Sequence, residues 1–552
     1  MSGDKVLPGY HSLRAQEQQR EPDITRRQFA IVLALVFTLL LNKSFFESAW
    51  ATIGFDTVKD WLFAASLVGV VLLVNLFFFS LVSLPFLLKP LGIALLLGGA
   101  LSAYFMDIYG VVIDKEMLRN VMETDINESM DLISPRLLAY ILVLGILPSL
   151  LILRLNIVSG PVGDELLKHV LLSVGALVVA LLLILALPDY YSSFFRNHKY
   201  VRMMQNPLGF INASVSLVQD GMRKPILVEP ISEGAFLGRG VSAQTKPVLA
   251  VFVVGETARA ANFGLGGYAR DTTPLLKQQD IIYFNDFWSC GTSTAVSVPC
   301  MFSLLTRKEY THTKARSLHG LLDFVKAAGV GVLWRDNNSG CKGVCDRVDY
   351  EVLDPTHHTD LCHGEDCYDE ILLRNLAAKV TRGHHFIVLH QKGSHGPAYN
   401  RRYPDAMQVF SPVCATNQLH HCSSEALVNA YDNTIRYTDY FLDQLINWLT
   451  AMEQTHNTLM VYVSDHGESL GEGNMYLHGM PYAIAPQYQI HVPFIFWASP
   501  GFYTDRGMEQ SCVRQQKDKT FSHDNIFHSV LGLLDINTPY YKGALDMFRP
   551  CL

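Results

Sequence analysis

Five long apolar stretches precede residue 190, and they constrain the fold of this 552-residue chain more than any other feature. A membrane-spanning helix needs about 20 apolar residues. Four stretches are long enough as they stand, and the first is long enough if Lys43 lies at the membrane interface. We therefore predict a five-helix transmembrane domain over residues 29–188, and not five buried core helices. The stretches are residues 29–42, 61–88, 90–106, 137–153 and 170–187.

Lysine and arginine indicate how these helices are oriented. We expect the first stretch to be a retained helix, because it starts late and lacks a clean small-residue cleavage site. With five spans, the loops on the N-terminal side carry eight Lys and Arg residues and the opposite loops carry five. Because cytoplasmic loops are enriched in positive charge, the tail 1–28 is predicted to be cytoplasmic and the C-terminal part to lie outside.

The cysteines point to the same orientation. There are ten, and none precedes Cys290. An even number confined to one part of the chain is typical of disulfides in an oxidising compartment. A structural zinc site is the alternative, although no second cysteine pair matches the spacing of Cys341 and Cys345. Connectivity cannot be deduced from sequence, but closeness suggests Cys290–Cys300, Cys341–Cys345, Cys362–Cys367 and Cys414–Cys422, which leaves Cys512–Cys551. We expect the C-terminal part to face the periplasm.

Two connecting segments have their own composition. The loop 107–136 is acidic, and we interpret it as containing a solvated surface helix. Residues 189–246 begin with aromatic side chains beside basic ones, among them Tyr190, Tyr191 and Arg196. This combination suits the membrane interface. We predict an interfacial linker with amphipathic helices there.

From residue 247 the pattern becomes that of an α/β domain. Short continuous apolar runs alternate with helical patterns up to residue 552, at residues 248–254, 329–334, 386–389, 459–463 and 492–497. Buried strands separated by helices predict a mostly parallel sheet. Such a sheet binds its ligands at the carboxyl ends of the strands.

Charge excludes one class of function. The chain has 17% charged residues, a net charge of -7 and no basic cluster. Proteins that track nucleic acid carry a basic patch or stripe. The composition therefore argues against nucleic-acid binding.

Three metal-binding residue types follow predicted strands. Glu256 comes after the first run, and Asp465 and His466 come after the fourth. Carboxylates and imidazole are ordinary zinc ligands. Each has a simpler role as well, since Asp465 could orient His466 and Glu256 could cap a helix. Taken together, they predict a metal site at one edge of the sheet.

Small hydroxyl residues fill the segment 289–300, and Thr294 is among them. A hydroxyl there is an ordinary helix cap, or a nucleophile if a metal lowers its pKa. No Gly-x-Ser-x-Gly elbow supports a serine hydrolase. His395 and His478 lie in glycine-containing segments, where a lone histidine is more often a surface residue. The residues alone indicate a membrane-anchored metalloenzyme for phosphoryl or sulfuryl transfer.

At these residues the sequence resembles the phosphoethanolamine–lipid A transferases, including the mobile colistin-resistance enzymes, within the alkaline-phosphatase/sulfatase-like superfamily. The resemblance covers the soluble domain, the five-helix region and the loop 107–136. It rests on long motifs at residues 254–262, 289–303, 333–345, 390–397 and 464–472. It implies an alkaline-phosphatase-like catalytic domain over 247–552.

The resemblance also implies roles for individual residues. Thr294 resembles the nucleophile. The ligands of a zinc ion would be Glu256, Thr294, Asp465 and His466. The residues that bind substrate phosphate, or a second zinc ion, would be His395 and His478. Asn338 and Lys342 resemble substrate-pocket residues. The family's disulfides match the local cysteine pairs suggested above, with Cys512–Cys551 less securely matched.

The implied reaction moves phosphoethanolamine from phosphatidylethanolamine to lipid A through a phospho-threonine intermediate and releases diacylglycerol. The reaction would use one or two zinc ions. The enzyme would be a monomer in contact with membrane lipids at the bacterial inner membrane. Its product would confer polymyxin and colistin resistance. The same chemistry with a Kdo or heptose core-sugar acceptor, or with phosphoglycerol as the transferred group, is the nearest alternative. A non-catalytic sensor or transporter belongs to another class, and five spans with few buried charges make a poor solute pathway.

Overall fold

The structure is a computed structural model that describes residues 23–84, 86–124, 126–158, 160–221, 227–364 and 366–552. It divides into two compact units. The first extends to residue 103 and includes residues 139–199 and 205–207, and the second comprises residues 104–138, 200–204 and 208–552. The predicted cytoplasmic tail 1–28 lies outside the described residues up to residue 22.

Apolar helices dominate the N-terminal region, as the sequence predicts. Among the described residues, four helices are long and apolar enough to cross a membrane. A fifth span results if the helices Arg26–Leu40 and Lys43–Trp50, which meet at 51°, are counted as one. The predicted five-helix region is therefore present as four single helices and one bent pair. The four helices are Val58–Leu81, Leu88–Tyr109, Pro135–Arg154 and Gly163–Ala186.

A buried amide network crosslinks the first unit. Asn75 Nδ2 donates to Thr38 Oγ1 at 3.0 Å, and Gln205 Nε2 donates to Asn75 Oδ1 at 2.8 Å. Asn42 Nδ2 donates to the Asn206 carbonyl at 2.7 Å, and the Asn206 N–H donates back to Asn42 Oδ1 at 2.8 Å. Polar groups away from water need such partners. The network explains why residues 205–207 belong to the first unit.

A seven-stranded, mostly parallel sheet is the centre of the second unit. Its strands, in chain order, are β1 (Val248–Gly255), β2 (Ile282–Phe284), β3 (Gly331–Asp336), β4 (Asp349–Val352), β5 (His385–His390), β6 (Asn457–Ser464) and β7 (Phe494–Ala498). Their spatial order is β2-β7-β6-β1-β5-β3-β4. Strand β7 is antiparallel to both of its neighbours. The predicted fold class is confirmed, and all five predicted strands are present with ends that differ by a few residues.

Hydrophobic clusters cover both faces of this sheet. The helix Ser424–Met452 buries Ile435, Leu442 and Leu445 against one face. The helices Leu321–Ala327 and Ile526–Leu533 contribute to the cluster on the other face. Two covered faces explain why the strands read as continuous apolar runs. The ends of the strands are then left for polar side chains.

The loop 104–138 is part of the second unit, and two of its charged residues are buried. It forms the helices Lys115–Glu123 and Ile126–Asp131. Arg119 is 5% exposed and pairs with Glu116 and Asp220. The expectation of a solvated helix is therefore wrong at Arg119 and at Asp131, which is 7% exposed. In this loop Glu116 and Asp131 form ion pairs with arginine side chains.

The described part of the predicted interfacial linker contains the α-helices Pro188–Asn197 and Leu208–Gly221, the short helix Arg239–Ser242 and a 3-10 helix at Lys199–Met204. The first has Asp189 in its first turn and Arg196 in its last turn, which suits the helix dipole. Its aromatic residues Tyr191 and Phe194 are buried. That the segment 189–246 lies at the membrane interface stays a prediction.

Candidate active site

The sheet topology brings three predicted ligands together. Glu256 directly follows β1, and Asp465 and His466 directly follow β6. The two strands are parallel neighbours, with Gly255 paired to Ser464, so both chains leave the sheet at the same edge. The side chains of Glu256, Asp465 and His466 are buried, and one ligand atom from each lies within 4.8 Å of the others.

Thr294 faces this cluster from the first turn of the helix Thr294–Met301. Its hydroxyl donates to Glu256 Oε2 at 3.1 Å and lies 3.4 Å from His466 Nε2. His466 Nε2 in turn lies 3.4 Å from Glu256 Oε1 and 3.3 Å from Asp465 Oδ2. The four residues predicted to form the metal site are therefore mutual neighbours.

The electrostatics of the cluster fit a bound cation. Burial and the adjacent Glu256 carboxylate raise the pKa of Asp465 well above its ordinary value. Asp465 Oδ2 is buried and has no hydrogen-bond partner among the described residues. Two carboxylates this close repel each other in a dry site unless a positive charge lies between them. A divalent cation would supply that charge.

His466 has the protonation state and orientation of a metal ligand. Burial lowers its pKa to about 3, so the imidazole is neutral. Its Nδ1–H donates to the Gly467 carbonyl at 2.9 Å, which leaves the Nε2 lone pair directed at the carboxylates. Metal-binding histidines are commonly oriented by such a bond from the other ring nitrogen. Two carboxylates, one imidazole and one hydroxyl make a donor set suited to zinc.

Proton competition gives the metal site a pH dependence. Because the pKa of Asp465 is raised, the cation-free carboxylate pair holds a proton that the metal must displace. We expect the apparent zinc affinity to rise with pH, by about tenfold per unit while one proton is released. Titration against a competing chelator at several pH values measures it. A pH-independent affinity would mean that the pair is already fully ionised.

His395 and His478 form a second polar cluster beside the first. Their rings lie 5.4 Å apart, and the ring of His478 lies 4.3 Å from that of His466. Glu468 Oε1 lies 3.5 Å from His478 Nδ1. Sequence reasoning gave no role to Glu468, although a carboxylate two residues after a predicted ligand was a usable signal. Burial raises the pKa of Glu468.

Asn338 and Lys342 have different positions relative to the cluster. Asn338 Nδ2 donates to Glu256 Oε2 at 2.8 Å and to the Gln391 carbonyl at 2.8 Å, so it holds a predicted metal ligand. Lys342 Nζ donates to Ser339 and, at 2.9 Å, to the Glu123 carbonyl in the loop 104–138. Lys342 therefore joins that loop to the segment between β3 and β4.

Asn338 is itself held by a buried pair that sequence reasoning missed. The Asn338 N–H donates to Asp336 Oδ1 at 2.7 Å, and His390 Nδ1 lies 3.1 Å from Asp336 Oδ2. Asp336 and His390 end the neighbouring strands β3 and β5. The position of polar residues at two strand ends was the available signal.

A buried arginine links the loop 104–138 to His395. Arg402 is 5% exposed, and its Nε donates to the His395 carbonyl at 2.8 Å. The same guanidinium donates to Asp131 Oδ2 at 3.1 Å. Arg401 donates to the other oxygen of Asp131 at 2.9 Å. The loop between two apolar helices is thus part of the structure that supports the active site.

All ten cysteines are paired in the structure. The pairs are Cys290–Cys300, Cys341–Cys345, Cys362–Cys367, Cys414–Cys422 and Cys512–Cys551, the same five that closeness along the chain suggests. Cys290–Cys300 closes the loop that contains Thr294. The described residues include no free cysteine for a zinc knuckle.

The Cys290–Cys300 disulfide should stabilise the segment that carries Thr294. Replacing both cysteines with serine is expected to lower the free energy of unfolding by about 2–4 kcal/mol, because the unfolded loop regains conformational freedom. Thermal unfolding of the purified protein measures the loss. The matched control is Cys512→Ser with Cys551→Ser, which should destabilise the protein without affecting activity at low temperature. Equal activity losses in both double variants would contradict the expectation that the Cys290–Cys300 disulfide holds the segment of Thr294 in place.

A cavity of about 180 Å³ lies beside the segment that precedes Thr294. The residues just before Thr294 form one wall, and Gly479 and Met480 form another. Met117 of the loop 104–138 and Tyr310 also line the cavity. Thr294 itself does not line this cavity, which adjoins the segment before it.

Comparison with known proteins identifies the family. The sulfatase family model matches residues 249–536, and the model for phosphoethanolamine transferase EptA/EptB matches residues 71–222. Phosphoethanolamine transferase EptA of Escherichia coli K12 is 36% identical over 537 residues, covering 96% of this chain and 98% of the relative. The chain belongs to the phosphoethanolamine transferase family. It is therefore an enzyme that transfers phosphoethanolamine.

Two further members of the family extend the likeness. Phosphatidylethanolamine transferase Mcr-1 of Escherichia coli is 37% identical, covering 93% of this chain and 97% of the relative. The solved structure of the integral membrane lipooligosaccharide phosphoethanolamine transferase A from Neisseria meningitidis is 37% identical. It superposes with a TM-score of 0.92, covering 96% of this chain and 99% of the other. The likeness covers both the apolar helices and the sheet domain.

Proposed function

We propose that this enzyme transfers phosphoethanolamine from phosphatidylethanolamine to a phosphate of lipid A and releases diacylglycerol. The observation that carries the proposal is the Thr294 hydroxyl, 3.1 Å from Glu256 in a buried cluster with Asp465 and His466. A hydroxyl in such a cluster is arranged to become a nucleophile. Family membership supplies the transferred group.

A zinc ion held by Glu256, Thr294, Asp465 and His466 would act as a Lewis acid that lowers the pKa of the Thr294 hydroxyl and stabilises phosphate oxyanions. The neutral imidazole of His466 and the two carboxylates support this ligand set. Asn338 keeps the Glu256 carboxylate oriented through its 2.8 Å bond. One zinc ion would satisfy the four residues, and His395 and His478, with Glu468 beside them, would bind substrate phosphate or hold a second zinc ion.

The first half-reaction forms a covalent intermediate. Thr294 Oγ1 attacks the phosphorus of phosphatidylethanolamine, and the proton that it gives up passes to the glycerol oxygen that leaves. The bond between phosphorus and the glycerol oxygen breaks, and diacylglycerol leaves with a proton on that oxygen. Phosphoethanolamine remains bonded to Thr294. With one zinc ion bound, His478, whose ring lies 4.3 Å from that of His466, and the neighbouring His395 would bind the phosphate oxygens.

The second half-reaction regenerates the enzyme. A phosphate oxygen of lipid A attacks the same phosphorus atom, and the bond from phosphorus to Thr294 Oγ1 breaks. The threonine oxygen takes up the proton released by the attacking phosphate hydroxyl. The product carries a new amine, so the negative charge of lipid A is reduced and cationic polymyxins such as colistin bind less well.

The substrates and the location support each other. Both substrates are lipids, and the chain has four to five apolar helices able to cross a membrane. Five disulfides in the sheet domain suit an oxidising compartment. We propose a multi-pass protein of the bacterial inner membrane, acting as a monomer with residues 247–552 in the periplasm. The lipooligosaccharide substrate named for the meningococcal relative supports a lipid A acceptor.

Mass spectrometry of lipid A tests the proposal. A polymyxin-sensitive Gram-negative host expressing the protein should gain lipid A with a phosphoethanolamine-sized increment, and cells expressing Thr294→Ala should not. Mild acid release from the core sugars separates the acceptors, because a Kdo or heptose acceptor would leave lipid A itself unmodified. No increment on lipid A or core, with folded and zinc-loaded protein, would contradict the proposal.

A further inference from the structure

His523 is a fully buried histidine with both ring nitrogens in use. Its side chain is 1% exposed. The backbone N–H of Cys290 donates to His523 Nδ1 at 3.2 Å, and Nε2 lies 3.1 Å from the Ser464 carbonyl. A carbonyl only accepts, so the proton is on Nε2 and Nδ1 is the acceptor. The ring therefore joins two backbone segments more than 50 residues from it in sequence.

These two segments carry the proposed nucleophile and two proposed metal ligands. Cys290 begins the disulfide loop that leads to Thr294. Ser464 is the last residue of β6 and precedes Asp465. His523 therefore bridges the loop of the nucleophile and the strand end of the ligands, and it contacts neither Thr294 nor Asp465 through a hydrogen bond of its own.

Ser464 extends the connection to the third segment. Its hydroxyl accepts a hydrogen bond from the Ala258 N–H at 2.8 Å and donates to the His466 carbonyl at 2.9 Å. Ala258 lies two residues after Glu256. The pair His523–Ser464 thus touches every segment that supplies a side chain to the cluster of Glu256, Thr294, Asp465 and His466.

Local hydrogen bonds hold the turn that carries His523. It opens the turn His523–Asn525, where the Ser522 hydroxyl accepts from the Asp524 N–H at 3.3 Å and Asn525 Oδ1 accepts from the Ser522 N–H at 2.9 Å. The ring lies 6.0 Å from that of Phe287. Burial lowers the pKa of His523 to about 3, so the ring is neutral and holds position without carrying charge.

We propose that His523 is a positioning residue that fixes the distance between the Thr294 loop and the Asp465–His466 strand end. The proposal deepens the proposed function and rests on it for the roles of those residues. Because groups that orient metal ligands commonly contribute about 10–100-fold to metal affinity or activity, loss of the bridge should weaken both zinc binding and formation of the threonine intermediate.

Three substitutions in the full-length protein separate the two hydrogen bonds. His523→Asn keeps an acceptor near the position of Nδ1, His523→Gln keeps a donor near the position of Nε2, and His523→Leu keeps neither. All three are neutral, like the native ring. We expect His523→Leu to lose about 10–100-fold in zinc affinity and in the rate of diacylglycerol release, and the two amides to recover part of each loss.

Zinc affinity is measured with zinc ion against a fluorescent chelator, and diacylglycerol release with phosphatidylethanolamine in detergent. His528→Leu is the matched control, because His528 is also 1% exposed and bonds a backbone N–H, that of Lys542, but no segment of the cluster. The control should lower the melting temperature and leave zinc affinity and rate per folded molecule unchanged.

Each outcome decides. If His523→Leu behaves like the control, or if neither amide recovers zinc affinity or rate, the role is merely structural and the proposal is overturned. If His523→Leu does not fold, the Asn and Gln variants decide by the same two readouts. If the unmodified protein releases no diacylglycerol, the proposed function fails, and zinc affinity alone still judges the positioning role.

Discussion

Replacing Thr294 with alanine is expected to abolish phosphoethanolamine transfer, with the rate of diacylglycerol release reduced by about 10³-fold or more. The substitution removes the only hydroxyl that the structure directs at both Glu256 and His466 among the described residues. The fold should survive, since one hydrogen bond is lost and its net contribution is about 1 kcal/mol. Rates with phosphatidylethanolamine and melting temperatures measure the two effects separately.

Thr294→Ser is the matched variant, because it keeps the hydroxyl and removes only a methyl group. It should retain measurable transfer and form a phospho-serine adduct. Thr458→Ala, in a buried threonine at the start of β6, controls for loss of a buried hydroxyl elsewhere in the sheet. Substantial diacylglycerol release by folded Thr294→Ala would assign the nucleophile to another group.

Replacing Asp465 with asparagine should remove zinc binding and, in the metal-free state, stabilise the protein. The neutral amide is the same size, so the strand end keeps its shape. Because the pKa of Asp465 is raised, the metal-free protein must take up a proton there near neutral pH, and the neutral asparagine removes that free-energy cost. The metal-free melting temperature should therefore rise. Zinc affinity should fall by more than about 100-fold, because a charged ligand is gone.

The stabilisation by added zinc shows whether Asp465 is a zinc ligand or only a structural residue. At a zinc concentration 100 times the dissociation constant, a single site stabilises the native state by about 2.7 kcal/mol. We expect that gain in the unmodified protein and in the control Asp443→Asn, on the helix Ser424–Met452. Asp465→Asn should show almost none at the same zinc concentration. An equal gain in all three proteins would mean that zinc binds elsewhere.

The parts of the site that follow from the sequence are those tied to strand ends. Glu256 and Asp465 each come directly after a continuous apolar run, and parallel neighbours end at one edge of the sheet. Local pattern therefore predicts their convergence. Thr294 follows from the sequence only through its motif. The structure puts it at the start of a helix, and a lone hydroxyl at that position is usually an ordinary helix cap.

Other features depend on contacts between distant segments. The bond from His523 to Cys290 spans 233 residues, and that from Asn338 to Glu256 spans 82. No local pattern encodes either one. Asp131 looks solvated in sequence because its arginine partners come some 270 residues later. The break in the first apolar helix after Leu40 also accompanies a distant contact. Asn42, just after the break, donates to the carbonyl of Asn206 in the first unit.

Mass spectrometry of the protein itself tests the central claim most directly. Purified zinc-loaded protein is incubated with phosphatidylethanolamine in the absence of lipid A, quenched in acid and digested. The account predicts a phosphoethanolamine-sized increment on the peptide that contains Thr294, which disappears when lipid A is added. An increment on a different peptide, or one that persists in Thr294→Ala, would contradict it.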